Sequence, residues 1–505
     1  MVVTTDPGGT PTSVASAASG DRGELSLVDH RGSGTVDVTA LDNVFVDAAI
    51  RVDVGATVQW QNDGRSTHSV ETTGDAPEAV GPTELLTGAA TSATFDEPGV
   101  YEYFCHLHGN AERGMVGVVV VGDADWSPEP SPEPTAPSGT DVPAVATIHV
   151  PDDVGSIQAA VDVADPGSTV LIAPGVYREA VVVTRPGIVI RGEDRNSVVL
   201  DGGYQLDNGV EVLGADDVSI ENLTVTGYTT NGLFWTGVEG YRASYVTATN
   251  NGYYGIYAFD SRDGTFEHSY ASGSADSGFY IGQCKPCDAT VTDVISEYNN
   301  FGFSGANTTG VTIENSRWSH NRAGIVLGSL DNELLAPQER DVIRGNLVED
   351  SGDPRATRPA NPDLDVVYGI GIALVGGLDN DVSANTVLRS ATVGIAVSPN
   401  PAIQENFWPA ERNRVVDNVV HESGDFDLAI VAVPDMGENC FADNEFDTSG
   451  PRAIEAVAPC EGTPVGDATD GAPDIEKYLD TSDNPPGVPF DEQPLPDPQP
   501  TMPAQ

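Results

Sequence analysis

A glycine followed by a short apolar strand returns at a nearly fixed interval through the second half of this chain. It stands at Gly209, Gly232, Gly255, Gly278, Gly302 and Gly324, as in Gly255-Ile-Tyr-Ala and Gly278-Phe-Tyr-Ile. The steps are 23, 23, 23, 24 and 22 residues; after a gap of 47, Gly371-Ile-Ala-Leu resumes and Gly394-Ile-Ala-Val follows 23 later. Asparagines, among them Asn222, Asn250, Asn299, Asn321, Asn385, Asn418 and Asn444, mark turns in the same repeat. A fixed short period builds a solenoid, because no unit buries its apolar face alone. The leucine signature of leucine-rich repeats is missing, and helical repeats are longer and richer in Ala, Leu and Glu. Short strands with Gly and Asn turns fit a parallel β-helix. Ser156–Asp165 has helical spacing, with Ser156 as N-cap and Pro166-Gly167 as the stop. Such a helix would cover the otherwise open first rung.

Alternation sorts the repeat into faces. Leu233, Ile256, Phe279, Phe303 and Ile325, then Trp235, Ala258, Ile281, Gly305 and Leu327, point into the coil. The residues between them face out, so Phe234, Tyr257 and Tyr280 form an external aromatic stack. Asp260, Gln283 and Asn307 follow as a polar column. Rings beside amides and carboxylates suit a glycan, and these six residues are the candidate ligand-binding set; a cover formed by the 328–368 insertion or the N-terminal domain is the competing expectation.

The first part of the chain reads differently. From Thr35 to Gly122, short period-two stretches such as Thr57-Val-Gln-Trp and Val100-Tyr-Glu-Tyr-Phe, broken by Gly, Asp and Pro, predict a small β-sandwich. Trp126-Ser-Pro-Glu-Pro-Ser-Pro-Glu-Pro reads as a semi-rigid extended linker. The expected organisation is all-β: a leader over 1–34, the sandwich over 35–122, the linker over 123–144, the β-helix over 145–462 and an acidic, Pro-rich tail over 463–505.

Lys and Arg number 23 against 77 Asp and Glu, a net charge of −54. That excludes nucleic-acid binding, which needs a basic face. No apolar run is long enough to span a bilayer. Only Lys285 and Lys477 are lysines, and a carboxylate-rich, Lys-poor surface suits high salt. No signal peptide is visible at the start, whereas the sequons at Asn222 and Asn307 and the cysteine usage below favour export to the extracellular side or cell surface.

The sandwich carries Trp60-Gln-Asn…His68-Ser-Val and then Tyr101-Glu-Tyr-Phe-Cys105-His-Leu-His108…Gly114-Met115-Val-Gly. One Cys, two His and one Met are the donor set of a blue-copper centre, a His₂Cys plane with a weak axial thioether. Zn²⁺ also accepts N and S donors. These motifs resemble the cupredoxins, in particular the plastocyanin and halocyanin branch, over residues 35–122. The resemblance implies an eight-stranded Greek-key sandwich holding one type 1 copper through His68, Cys105, His108 and Met115. Met115 lies seven residues after His108, a longer gap than the family's. His106 directly follows Cys105 and should point to the other side of its strand.

There are five cysteines. With Cys105 on a metal, four remain. Cys284-Lys-Pro-Cys287 sits in a repeat turn rather than at the start of a helix, so a structural disulfide is favoured over a redox pair. A disulfide between Cys440 and Cys460 would pin the last rung.

The 145–462 block is similar to the right-handed parallel β-helix superfamily, which includes pectate lyase-like, epimerase and NosD-like proteins. It is carried by Ser156-Ile-Gln-Ala-Ala…Asp165-Pro-Gly-Ser-Thr-Val and Pro174-Gly-Val-Tyr177-Arg-Glu. Lyases of that class need a base, often Arg or Lys, and a carboxylate neutraliser such as Ca²⁺. Arg262, His320 and Arg322 with Asp260, Asp276 and Glu297 supply those residue types, but no catalytic motif of the class matches and none is assigned. The expectation is an exported copper protein with an unknown redox partner, whose β-helix binds a glycan or a protein. The alternatives are a polysaccharide lyase, epimerase or hydrolase with an accessory copper domain, and a structural surface protein.

Overall fold

The computed structural model describes residues 20–21, 25–73, 84–128, 146–400, 406–431, 436–474, 477–478 and 480–503. The chain divides into two compact units, residues 1–136 and 137–505.

Among the described residues of the first unit, ten strands run β1 (Gly20–Asp21), β2 (Leu27–Asp29), β3 (Thr35–Leu41), β4 (Val44–Val46), β5 (Ala49–Val52), β6 (Ala56–Asn62), β7 (Glu71–Thr72), β8 (Ala90–Phe95), β9 (Gly99–Gly109) and β10 (Arg113–Val121). They form one sheet in the order β2-β5-β10-β9-β7, with β1 on β10, and a second in the order β4-β3-β6-β8. Period-two patterning does the sorting: β6 buries Ala56, Val58, Trp60 and Asn62 and turns Thr57, Gln59 and Gln61 outward. Trp60 is fully buried and meets Tyr103 edge-on, ring centres 5.3 Å apart.

The leader is shorter than expected. Leu25 is buried, β2 pairs in parallel with β5, and β1 pairs with β10. The segment lacks alternation because it pairs over only two or three residues. Ala124 and Trp126 of the expected linker pack on the sandwich core. Residues 129–144 of that linker lie outside the described residues.

The second unit is a parallel β-helix with three long sheets. Sheet I has 12 strands, from Thr147–Val150 to Cys440–Ala442. Sheets II and III have 11 each, from Gly175–Tyr177 to Glu445–Phe446 and from Val181–Val183 to Ser449–Gly450. Every pairing is in register, as in Leu233↔Ile256 and Ile256↔Phe279. The predicted cap is helix α1 (Ile157–Val163), whose N-cap Ser156 accepts the Ala159 N–H and whose Ile157, Ala160 and Val161 close the core. A second short helix, α2 (Ile454–Val457), buries Ile454 and Val457 at the other end.

Asparagines do mark the turns. Between sheets I and II, Asn346, Asn385 and Asn418 each donate a backbone N–H to the side-chain oxygen of the next asparagine at 2.9–3.0 Å, ending on Asn444. Stacked amides thereby satisfy turn backbone that the coil would otherwise bury unpaired.

The expected tail is a strap. Instead of trailing off, residues 480–503 run back along the β-helix from later rungs to the first ones. The Val488 N–H reaches Ala356 and its carbonyl takes Arg358 N–H. Asn250 donates to the Gln493 carbonyl at 2.8 Å, and Asn196 and Gln499 exchange two bonds of 2.8 Å. Arg195 donates to the Pro500 carbonyl at 2.9 Å, and Asn222 Oδ1 accepts from Thr501 and Met502 at 2.8 Å. A proline-rich strand held through its main chain has no side-chain periodicity to announce it.

Candidate metal centre

The ladder between β9 and β10 is broken where the donors lie. Val116 pairs with Phe104 and Gly114 with Gly109, so the four residues Cys105–His108 face the single residue Met115. This bulge lifts Cys105 and His108 off regular pairing and aims them together. Gly114 makes the turn possible: its φ is +87°, and a Cβ there would lie 2.5 Å from the His108 carbonyl oxygen. His68 comes from the segment after β6. Its backbone exchanges two hydrogen bonds with Leu85, at 2.9 and 2.7 Å. Asn62 holds that segment by donating to the Ser66 and Leu85 carbonyls, both at 2.8 Å.

Three donor atoms converge as a result. His68 Nδ1 and His108 Nδ1 are 3.2 Å apart, and Cys105 Sγ lies 3.9 Å from the first and 3.5 Å from the second. Trigonal ligands at first-row metal distances of ~2.0–2.1 Å for nitrogen and ~2.3 Å for sulfur would stand roughly 3.5–3.8 Å apart, so the set fits one metal ion. All three residues are buried, and Cys105 forms no disulfide. Burial pulls His68 down to about 4 and pushes the Cys105 thiol up to about 11. It also holds His108 well below the usual imidazole value, and the neighbouring His68 and His106 add repulsion. Both imidazoles are therefore neutral, the form that ligates. Met115 is fully buried and lies opposite the bulge Cys105–His108.

One participant escaped the sequence reading. The Ser69 N–H donates to Cys105 Sγ at 3.3 Å, and its hydroxyl accepts the His106 N–H at 3.0 Å. The His106 ring turns away from the cluster, as expected, to meet Ser69 Oγ at 2.8 Å and Glu71 at 2.5 Å. Its only sequence signal is adjacency to His68.

On the β-helix, the predicted ligand-binding set does not form an open site. Phe234 stacks on Tyr257 and Tyr257 meets Tyr280 edge-on, outside the coil as alternation required. All three are nevertheless buried, with Leu330 of the insertion packed on them and Glu333 accepting from the Tyr280 hydroxyl. Asp260, Gln283 and Asn307 recur for a backbone reason: each is a corner with φ near +50°. The insertion uses two of them, since Asn307 bonds Leu330 and Glu333 and Gln283 accepts the Leu334 N–H. Neither sequon is available for glycosylation, because Asn222 and Asn307 are buried and hydrogen-bonded.

The lyase-type residues are dispersed. Arg262 pairs with Glu239 on sheet I, His320 binds Asp353 at 3.0 Å, and buried Arg322 binds Asp365 and the Pro485 carbonyl. Asp276 accepts from Tyr254 and Ser277, and Glu297 from Ser319 and Tyr270. Cys284–Cys287 and Cys440–Cys460 are both disulfides. A second ligand-type group, His421, Asp427 and Asp447, comes together at the last rung. There the Asp427 carboxylate is already taken by the N–H groups of Ser423, Asp447 and Thr448 and by the Thr448 hydroxyl, so it is a turn clasp.

Residues 33–122 match the model of copper binding proteins of the plastocyanin/azurin family, and residues 186–336 and 231–398 match the right handed beta helix region. Plastocyanin of Scenedesmus fuscus is 33% identical over 86 residues, covering 15% of this chain and 86% of that protein. The chloroplastic plastocyanin of Tetradesmus obliquus is 34% identical over 86 residues, covering 15% of this chain and 58% of that protein. Among solved structures, the chain is similar to the A-module of the Azotobacter vinelandii mannuronan C-5 epimerase AlgE4, at 15% identity and TM-score 0.40 over 60% of this chain and 96% of that one. The chain thus belongs, through its N-terminal sandwich, to the plastocyanin/azurin family of copper-binding proteins, with a right-handed β-helix region behind that domain.

Proposed function

We propose that His68, Cys105 and His108, with Met115 as a weak fourth donor, would hold one copper ion as a type 1 centre for one-electron transfer. The convergence of two buried neutral imidazoles and a buried thiol within 3.2–3.9 Å of one another carries this reading. Copper bound there would supply a Cu(I)/Cu(II) couple. The chain supplies the rest. Cys105 gives up its proton on binding, and the Ser69 N–H stabilises the thiolate. The Leu85, Asn62 and Gly114 contacts fix the donors before metal arrives, so little moves when an electron comes or goes. The protein works outside the cytoplasm, where two disulfides persist, in a salty medium, and its β-helix binds a surface glycan.

Copper(II) added in high salt tests this. The expected result is an intense blue charge-transfer band at one copper per chain. Cys105→Ser should abolish the band, and a variant that stays blue overturns the assignment. Met115→Leu should keep the colour and raise the reduction potential; an unchanged potential places Met115 outside the coordination sphere.

A further inference from the structure

We propose that the outer face of sheet II, from Thr247 to Ser272, is a groove for an extended, uncharged glycan chain, and that residues 485–503 are its intramolecular cover. The proposal rests on reading the β-helix as a glycan binder and moves the site away from the aromatic stack of sheet III. In the rungs Thr247–Thr249 and Tyr270–Ser272, Ala248 and Ala271 point into the coil. Thr247, Thr249, Tyr270 and Ser272 therefore face out, yet each is 5% exposed or less. The strap crosses this face, since Val488 lies at Ala356–Arg358, Gln493 at Asn250 and Pro500 at Arg195.

The way the strap is held points to a replaceable occupant. Arg322, Asn250, Asn196 and Arg195 grip carbonyls of Pro485, Gln493, Gln499 and Pro500, at 2.7–2.9 Å. These four read a line of acceptors, and among the described residues only two strap side chains add to them, Gln493 donating to the Arg355 carbonyl at 2.7 Å and Thr501 to Asn222 Oδ1 at 2.8 Å. Apolar anchorage is slight: Leu495 is 70% exposed, and Phe490 meets Tyr204 at 5.9 Å.

The strap also fits its floor imperfectly. Asn250 Oδ1 is buried with no hydrogen-bond partner among the described residues, although its amide nitrogen holds Gln493. Asn250 Oδ1 needs a donor, and the stretch Gln493-Pro-Leu-Pro-Asp-Pro-Gln-Pro500 has proline at every second position, without N–H groups. A sugar chain offers acceptors for the same grips and a hydroxyl donor for Asn250 Oδ1. Successive rungs lie roughly 4.8 Å apart, about one pyranose unit along an extended chain. The net charge of −54 and Glu297 on the next rung argue for an uncharged polymer over an acidic one.

Calorimetric titration with cellohexaose tests the groove, with polymannuronate as the charged control. Three chains are compared: the natural one, one ending at Asp480, and one carrying Val488→Pro with Gln499→Pro. The double variant deletes two strap N–H donors, to Ala356 and Asn196, and leaves the floor intact. Amide exchange across residues 247–272 reports both the opening and the intact fold. Both loosened chains should bind cellohexaose at least tenfold more tightly than the natural chain, and Ser272→Ala or Thr249→Val placed in them should remove the gain. Equal binding by all three chains, insensitive to those substitutions, overturns the groove and leaves glycan binding standing. Stronger binding of polymannuronate overturns its uncharged character, and no binding by any chain overturns both readings.

Discussion

Burial sets the chemistry of the metal cluster one residue at a time. A Cys105 thiol pushed up to about 11 stays protonated across the working range, so metal uptake releases a proton. Copper affinity should therefore rise about tenfold per pH unit between roughly pH 5 and pH 10, as competition titrations at stepped pH would record. His68 works in the opposite sense. Its imidazole is held at about 4 against an ordinary 6.5, so the metal-free sandwich is at full strength above pH 6.5 and weakens as pH falls towards 4, by about 3 kcal/mol. Glu211 on sheet III is a third case. Its Oε1 is buried with no partner among the described residues, and burial raises the carboxyl to about 8 from 4.5. The folded chain keeps this proton while the unfolded chain loses it, so stability drops as pH rises from 4.5 to 8. Glu211→Gln should stabilise the β-helix at pH 9, by up to about 5 kcal/mol, in denaturant titrations; no gain would mean the carboxylate finds solvent. The donor types and their spacing are legible in the sequence because metal ligation demands particular atoms. Ser69 is not, because its contribution is a backbone N–H that any residue carries.

Among the elements, the asparagine ladder is where sequence and packing agree best. Asn385 donates to Ile343 and Asn418 and accepts both the backbone and side-chain N–H of Asn346, at 2.8–3.0 Å. Asn385→Ala leaves these partners buried, at about 1–3 kcal/mol per orphaned group. A loss of about 2–4 kcal/mol in chemical unfolding is expected, together with faster amide exchange in the flanking rungs, since a solenoid is stabilised by neighbours. The 23-residue period and the N-terminal cap were readable because each follows from local spacing. The aromatic stack shows the limit: alternation assigned Phe234, Tyr257 and Tyr280 to the outside of the coil and left a ligand and the 328–368 insertion as rival occupants, and it is Leu330 and Glu333 of that insertion that lie over the rings. The polar column misled for a different reason, because a corner at positive φ selects the same Asp, Gln and Asn types that a sugar site would.

For the whole molecule, two compact units imply two unfolding events. Excess copper should raise only the sandwich transition, by about 2.7 kcal/mol at a concentration one hundred times Kd, while the β-helix transition stays in place in a calorimetric scan. A charge of −54 should make both transitions climb between 0.1 and 2 M salt, where the screening length falls from about 10 Å to below about 3 Å. The strap adds a consequence in time. Its residues are made long after the rungs they cover: Pro500 is 228 positions after Ser272 (500 − 272). At roughly 5–20 residues per second, those rungs stand bare for about 10–50 s of synthesis. A nascent chain that stops before Pro485 leaves those rungs open.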